Sequence, residues 1–183
     1  MTWLSKVDLQ LFRWINEAWS NAFFDWLMPF LSGNRLFAPA VVLLAIVGLV
    51  KGGRRMRVCL VMVALAVGIG DGLVSNTIKK AVDRPRPFVE LDDVQLRVGR
   101  GGSASMPSSH AVNCFAAAMV AFIYYRRSWR FMMPLAAGVA VSRVYIGVHW
   151  PTDVLAGAAL GFAVAWFVLG GRDRSRPPAL KPT

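Results

Sequence analysis

Five charge-free apolar blocks dominate this chain: "LFAPAVVLLAIVGLV" (36–50), "VCLVMVALAVGIG" (58–70), "AVNCFAAAMVAFIYY" (111–125), "FMMPLAAGVAV" (131–141) and "VLAGAALGFAVAWFVLGG" (154–171). With flanking residues, each approaches the roughly 20 residues that cross a bilayer. Backbone polar groups in lipid must be paired within the segment, so the blocks are expected to be helices. Internal glycine and proline are compatible with that, because membrane helices tolerate both. The composition agrees: 56% of the 183 residues are hydrophobic and only 17% are charged, too apolar for an ordinary soluble domain of this length. The expected fold class is therefore all-α, a polytopic membrane helix bundle of about five or six transmembrane helices.

The net charge of +11 would suggest a nucleic-acid partner in a soluble chain. Here the basic residues gather at the ends of the apolar blocks, in "KGGRRMR" (51–57), "RRSWR" (126–130) and the tail after 171. If the spans alternate, all three clusters share one side, which the positive-inside rule makes cytoplasmic. That pattern needs no nucleic acid. The expected organisation is an N-terminal segment, 1–33, a membrane domain, 34–171, and a basic cytoplasmic tail, 172–183. The N-terminal segment mixes apolar residues with Asp8, Arg13, Glu17 and Asp25 at roughly helical spacing. It reads either as an amphipathic helix at the interface or as a tilted first span. Cys59 and Cys114 lie inside apolar blocks and read as small packing residues.

With the basic connectors inside, residues 79–109 and the turn around 147–151 lie outside, and these hold the unusual chemistry. "KKAVDRPRPFVE" breaks the positive-inside pattern with Lys79, Lys80, Arg84 and Arg86. Arginine suits phosphate because its rigid fork gives paired, charge-assisted hydrogen bonds. Pro85 and Pro87 stiffen the backbone around Arg86. In "PSSHA", Ser108 or Ser109 is placed to cap a helix whose free amides favour an anion, with His110 in its first turn. In "SRVYIGVHWPTDVLAG", Arg143 is a charge near the end of an apolar span, a mark of function. His149 follows, and Asp153 lies four residues further on. On a helix that spacing brings carboxylate and imidazole together, leaving the other ring nitrogen free as nucleophile or ligand. Both histidines of the chain thus lie on one face with Lys79, Arg86 and Arg143. Zinc on the two histidines and Asp153 is disfavoured by the surrounding cations, and zinc sites usually supply three or four protein ligands. No metal or other cofactor is expected.

At these residues the sequence resembles the type 2 phosphatidic acid phosphatase superfamily. Lys79, Arg86 and Pro87 match K-x6-RP. Pro107, Ser108 and His110 match P-S-G-H, with Ser109 in place of the glycine. Ser142, Arg143, His149 and Asp153 match S-R-x5-H-x3-D. The resemblance covers roughly residues 35–170. It implies a helical membrane enzyme of the bacterial cytoplasmic membrane with its site at the outer, periplasmic surface. It also implies a metal-independent phosphohistidine route. His149 attacks phosphorus, Asp153 orients it, and Lys79, Arg86, Arg143, Ser108 and Ser109 bind the phosphoryl oxygens. His110 protonates the leaving oxygen and then activates water, while Pro87 and Ser142 support the pocket. Ser109 keeps an amide donor and adds a hydroxyl, so binding is expected to survive the departure. The expected substrate is a lipid phosphate or diphosphate within the bilayer: undecaprenyl diphosphate, phosphatidylglycerol phosphate, phosphatidic acid or a lipid A phosphate. A transporter or channel for an anionic solute or lipid is the alternative; it accounts for the spans but not for the three motifs together.

Overall fold

The computed structural model describes residues 3–32, 37–102 and 104–170. The basic tail expected at 172–183 lies outside them. Among the described residues every regular element is helical, and each apolar block forms a helix: α3 (Phe37–Lys51), α4 (Arg54–Ile69), α7 (Ser109–Tyr124), α8 (Trp129–Tyr145) and α9 (Pro151–Val168). α4 runs through a π-turn, Gly70–Ser75, into α5 (Asn76–Val82). The short α6 (Pro87–Glu90) follows after a break. The Arg54–Glu90 stretch and Pro151–Val168 are long and apolar enough to cross a membrane; Ala22–Leu31, Pro39–Lys51 and Ser109–Tyr124 are apolar but shorter. Two spans are therefore clear from length and composition, fewer than the five or six expected from the blocks.

The core of the bundle is the packing of α7 against α4 and α9. Ala66, Ala116, Val120, Val164 and Ala165 are buried there. Gly157 and Gly161 let α9 approach α7 closely. A Cβ at Gly157 would stand 2.7 Å from the Ser108 carbonyl oxygen, and one at Gly161 would stand 2.5 Å from that of Val112. In a bilayer, where the hydrophobic effect gives helices little reason to associate, small residues at this spacing allow dense packing. Outward-facing Val42, Leu43, Leu44 and Val50 of α3 are exposed, as a lipid-facing helix requires.

The N-terminal segment folds as α1 (Trp3–Arg13), a π-turn over Trp14–Ala18, and α2 (Ala22–Leu31). Neither helix has the length of a span. The face of α1 and the π-turn turned toward the protein buries Asp8, Phe12 and Asn16, whereas Trp3, Leu4, Leu11 and Trp14 are exposed. Polar groups therefore point inward, and all of them have partners. The Asn16 amide donates to the carbonyls of Tyr145 and Gln95 (2.7 and 3.0 Å) and accepts the Gln95 N–H at 3.0 Å. Arg13 pairs with Asp93 at 2.9 Å. Asp25 accepts from Arg97 at 2.6 Å and from the Tyr145 hydroxyl at 2.7 Å. The charges that speak against a plain span dock this segment onto the connector 83–98 and the end of α8.

Candidate active site

Three pieces of backbone meet at one end of the bundle: the connector 83–108, the start of α7, and the α8–α9 turn. The turn is sharp. Gly147 has φ +85°, and a side chain there would stand 2.7 Å from Val94 Cγ1, so glycine is needed for both conformation and space. The N–H groups of Val148 and His149 both donate to the Arg143 carbonyl (3.2 and 3.3 Å), curling the chain back over the end of α8. Pro151 then opens α9, a favoured first helical residue.

His149 is 2% exposed and Asp153 is fully buried. The helix begins at Pro151, so the His149–Asp153 spacing straddles its N-terminus and does not lie along a formed turn. Nδ1 of His149 stands 3.5 Å from Asp153 Oδ2. That is an ion-pair distance, too long for a well-formed hydrogen bond. The same Oδ2 accepts the Trp150 N–H at 2.8 Å, and Asp153 donates its own N–H to the Trp150 carbonyl at 3.0 Å. Asp153 is therefore a helix-capping residue as well as the imidazole's partner. Burial pushes the His149 pKa down to about 4. The Asp153 carboxylate opposes that shift, while Arg86 and Arg143 add to it.

The cations converge from separate elements. Arg86, in the stretch between α5 and α6, is buried and donates to the Val148 carbonyl at 3.0 Å. Pro87 behind it is buried at the start of α6. Gly101 lies against the guanidinium, where an added Cβ would come within 3.3 Å of Cζ. Lys79 is half-buried in α5, within electrostatic reach of Arg86, Arg143, Asp153 and Asp71. His110, exposed in the first turn of α7, lies within reach of His149, Arg143, Lys79 and Asp71. Asp71, in the π-turn of the α4–α5 helix, lies beside the site, where it acts on both Lys79 and His110.

Several expected contributions take a different form. Ser108 is the N-cap of α7, but its hydroxyl does not cap. Its N–H donates to the Asp153 carbonyl at 3.1 Å, so that amide is committed to tying the starts of α7 and α9 together. Its hydroxyl is buried without a partner. The Ser142 hydroxyl donates to the Val139 carbonyl at 2.7 Å inside its own helix and does not reach into the pocket. Arg143 is tethered through NH1 to the Ser32 carbonyl at 3.1 Å and to the Ser32 hydroxyl, while its Nε is buried and unpartnered. Ser109 is half-buried in the first turn of α7. Three unsatisfied buried polar atoms, Ser108 Oγ, Arg143 Nε and His149 Nδ1, thus belong to motif residues. Buried polar groups are rarely left so, because each costs desolvation with nothing in return.

One layer of the site is not marked by the motifs. Arg84 donates to Asp153 Oδ1 (2.8 Å), to Thr152 Oγ1 (2.7 Å) and to Asp8 Oδ2 (2.6 Å). Its guanidinium also lies over the Trp150 ring, 5.1 Å from the centroid. The available signals were an acidic residue on the apolar-facing side of α1 and a second arginine two residues before Arg86; neither names its partner. Among the described residues no group of three or more His, Cys, Asp or Glu side chains is placed to hold a metal ion.

The family model described as the PAP2 superfamily matches residues 56–177. The chain is 29% identical over 171 residues to a lipid A 4'-phosphatase of Bacteroides thetaiotaomicron, covering 89% of this chain and 76% of that protein. It is 34% identical over 163 residues to a putative undecaprenyl-diphosphatase, YbjG, of Escherichia coli, covering 86% and 79%. The fold matches the crystal structure of Aquifex aeolicus LpxE with a TM-score of 0.71 at 24% identity, covering 90% of this chain and 95% of that one.

Proposed function

The chain belongs to the PAP2 superfamily, and from that membership we propose that it hydrolyses a lipid phosphate or diphosphate through a phosphohistidine on His149. It is a membrane-associated hydrolase, a lipid phosphatase by family. The observation that carries the mechanism is the union of both histidines of the chain with Lys79, Arg86 and Arg143 around unsatisfied buried polar atoms.

In this reading the three cations and the Ser108 hydroxyl hold the non-bridging phosphoryl oxygens, whose charge must be stabilised through the transition state. Nε2 of His149 attacks phosphorus as the leaving oxygen departs with a proton from His110. The phosphorylated ring keeps its Nδ1 proton and becomes cationic, and Asp153 stabilises it. His110, now neutral, takes a proton from water, which attacks phosphorus and frees His149 and inorganic phosphate. No step calls for a metal ion. The exposed side of His110 admits the headgroup and water, while the lipid tail stays along the apolar helices. The site faces the outer, periplasmic side of the cytoplasmic membrane, with α1 and α2 lying at the interface. The substrate class is a phosphate or diphosphate on a lipid anchor, from the group comprising undecaprenyl diphosphate, phosphatidylglycerol phosphate, phosphatidic acid and lipid A.

The test is phosphate release from each of these four lipids by purified protein in detergent with chelator present. Wild type is expected to release phosphate from at least one. His149→Ala is expected to lose activity by about 10³-fold or more, as removal of a nucleophile does. Wild-type turnover by a well-folded His149→Ala protein would remove His149 from the nucleophile's role.

A further inference from the structure

Asp8 is 2% exposed, in the middle of an amphipathic helix whose apolar side chains are partly turned outward. A buried carboxylate is retained only when it is well paired, and Asp8 is held on every side. Oδ2 accepts from Arg84 at 2.6 Å and from the Thr152 hydroxyl at 2.6 Å; Oδ1 accepts the Thr152 N–H at 2.9 Å. Arg84 carries the connection onward. Its NH2 faces Asp8, and its NH1 donates to Asp153 Oδ1 at 2.8 Å. Asp153 turns its other oxygen to His149. Phe12, one turn along α1, packs on Trp150 at 5.3 Å between ring centroids, and Trp150 donates its indole N–H to the Pro85 carbonyl at 3.1 Å. α1 therefore grips Trp150 and Thr152, two of the three residues between His149 and Asp153.

We infer that Asp8 is a positioning residue for the nucleophile, acting through Arg84 on Asp153. The inference rests on the reading of His149 as the residue that is phosphorylated. Asp8 acts in two ways. It fixes one arm of the Arg84 fork, so that the other arm sets the plane of the Asp153 carboxylate. It also offsets the Arg84 charge. With Asp8 the triad Asp8–Arg84–Asp153 carries net charge −1 and favours the cationic ring formed on phosphorylation. Without Asp8, Arg84 cancels Asp153 and that support is lost. Neither Asp8 nor Arg84 touches the substrate in this account, so substrate binding is left in place.

The experiment uses the full chain in detergent with whichever of the four lipids wild type hydrolyses. Phosphorylation is followed by rapid quench with enzyme in excess and saturating. The first-order rate constant is then insensitive to an unfolded fraction, which a steady-state rate is not. Asp8→Asn keeps the shape and removes the charge. Its phosphorylation rate constant is expected to fall about tenfold or more, with KM within about twofold of wild type. Thr152→Ser keeps the hydroxyl that Asp8 and Arg84 share and is expected to stay near wild type, whereas Thr152→Val falls with Asp8→Asn. An unchanged rate constant in a folded Asp8→Asn protein overturns the inference. If Asp8→Asn does not fold, equal rate constants for Thr152→Ser and Thr152→Val overturn it instead. Active wild type with a fully active His149→Ala variant removes the parent reading, a result separable from either.

Discussion

His149 lies in the five-residue connector between α8 and α9, and its burial has a measurable consequence. The group titrates near 6.5 in an unfolded chain and near 4 in the folded one, because burial disfavours the imidazolium more than Asp153 favours it. The ring is therefore neutral, the form that the proposed attack on phosphorus requires, throughout pH 5 to 8. The sign for stability follows from proton uptake. Between pH 6.5 and 4 the unfolded chain binds a proton that folded His149 does not, so this residue's contribution to stability declines as pH falls through that window. With two histidines in the whole chain, ¹⁵N imidazole spectra in detergent can be assigned with one His149→Ala sample. The His149 signals are expected to keep neutral-ring positions from pH 8 down to 5. Half-protonation near pH 6.5 would show the ring to be solvated and the pocket more open than the structure has it.

At the scale of elements, the site depends on how closely α7 and α9 approach. Gly161 leaves no room for a methyl group: a Cβ there meets the Val112 carbonyl oxygen at 2.5 Å and the Ala116 nitrogen at 2.9 Å, backbone atoms that cannot swing aside. Gly161→Ala must push the helices apart, at a cost of about 1–3 kcal/mol for overpacking. The starts of the same two helices carry His110 and Asp153, and the bond from the Ser108 N–H to the Asp153 carbonyl joins them. The variant is expected to show a lower thermal midpoint in detergent and a lower kcat. Gly53→Ala, with open space around the added methyl, is the control expected to change neither much. Such helix positions were legible in the sequence, because charge-free blocks must be helical in lipid and their ends follow from flanking charges. The three motifs likewise announced Lys79, Arg86, His110, Arg143, His149 and Asp153. The Asp8–Arg84–Thr152 connection was not legible, since each pair in it is separated by 68 or more positions. Periodicity and motif spacing describe neighbours along the chain; only the docking of α1 brings these three together. The roles of Ser142 and the Ser108 amide were obscured for a related reason: sequence shows that a polar group is present, but not which backbone carbonyl receives its proton.

For the whole molecule, the polar and apolar surfaces set how it sits in a membrane. The motif residues gather at one end of the bundle with the connector 83–108. Lys51, Arg54, Arg55 and Arg57 stand at the facing ends of α3 and α4, and Arg126, Arg127 and Arg130 stand in and just after the α7–α8 connector, at helix ends remote in sequence from those motifs. Positive charge retained in the cytoplasm would place these basic turns inside, and α7, entering the bundle at Ser109 and leaving it at Tyr124, then carries the motif end to the opposite face. The exposed Trp3, Leu4 and Leu11 of α1 and Trp14 just after it would meet the headgroup region on that face, where amphipathic aromatic rings are favoured. This arrangement can be read directly with cysteine labelling. In a chain with Cys59 and Cys114 replaced by serine, Asp83→Cys marks the motif end and Arg127→Cys the basic end; both positions are exposed. A membrane-impermeant thiol reagent is expected to label Asp83→Cys in intact cells permeable only at the outer envelope, and Arg127→Cys only after the cytoplasmic membrane is opened. The reverse pattern would put the site on the cytoplasmic side and require its lipid phosphate to be presented from the inner leaflet. Labelling of both positions in intact cells would instead mean that the bundle does not separate its two ends across the bilayer.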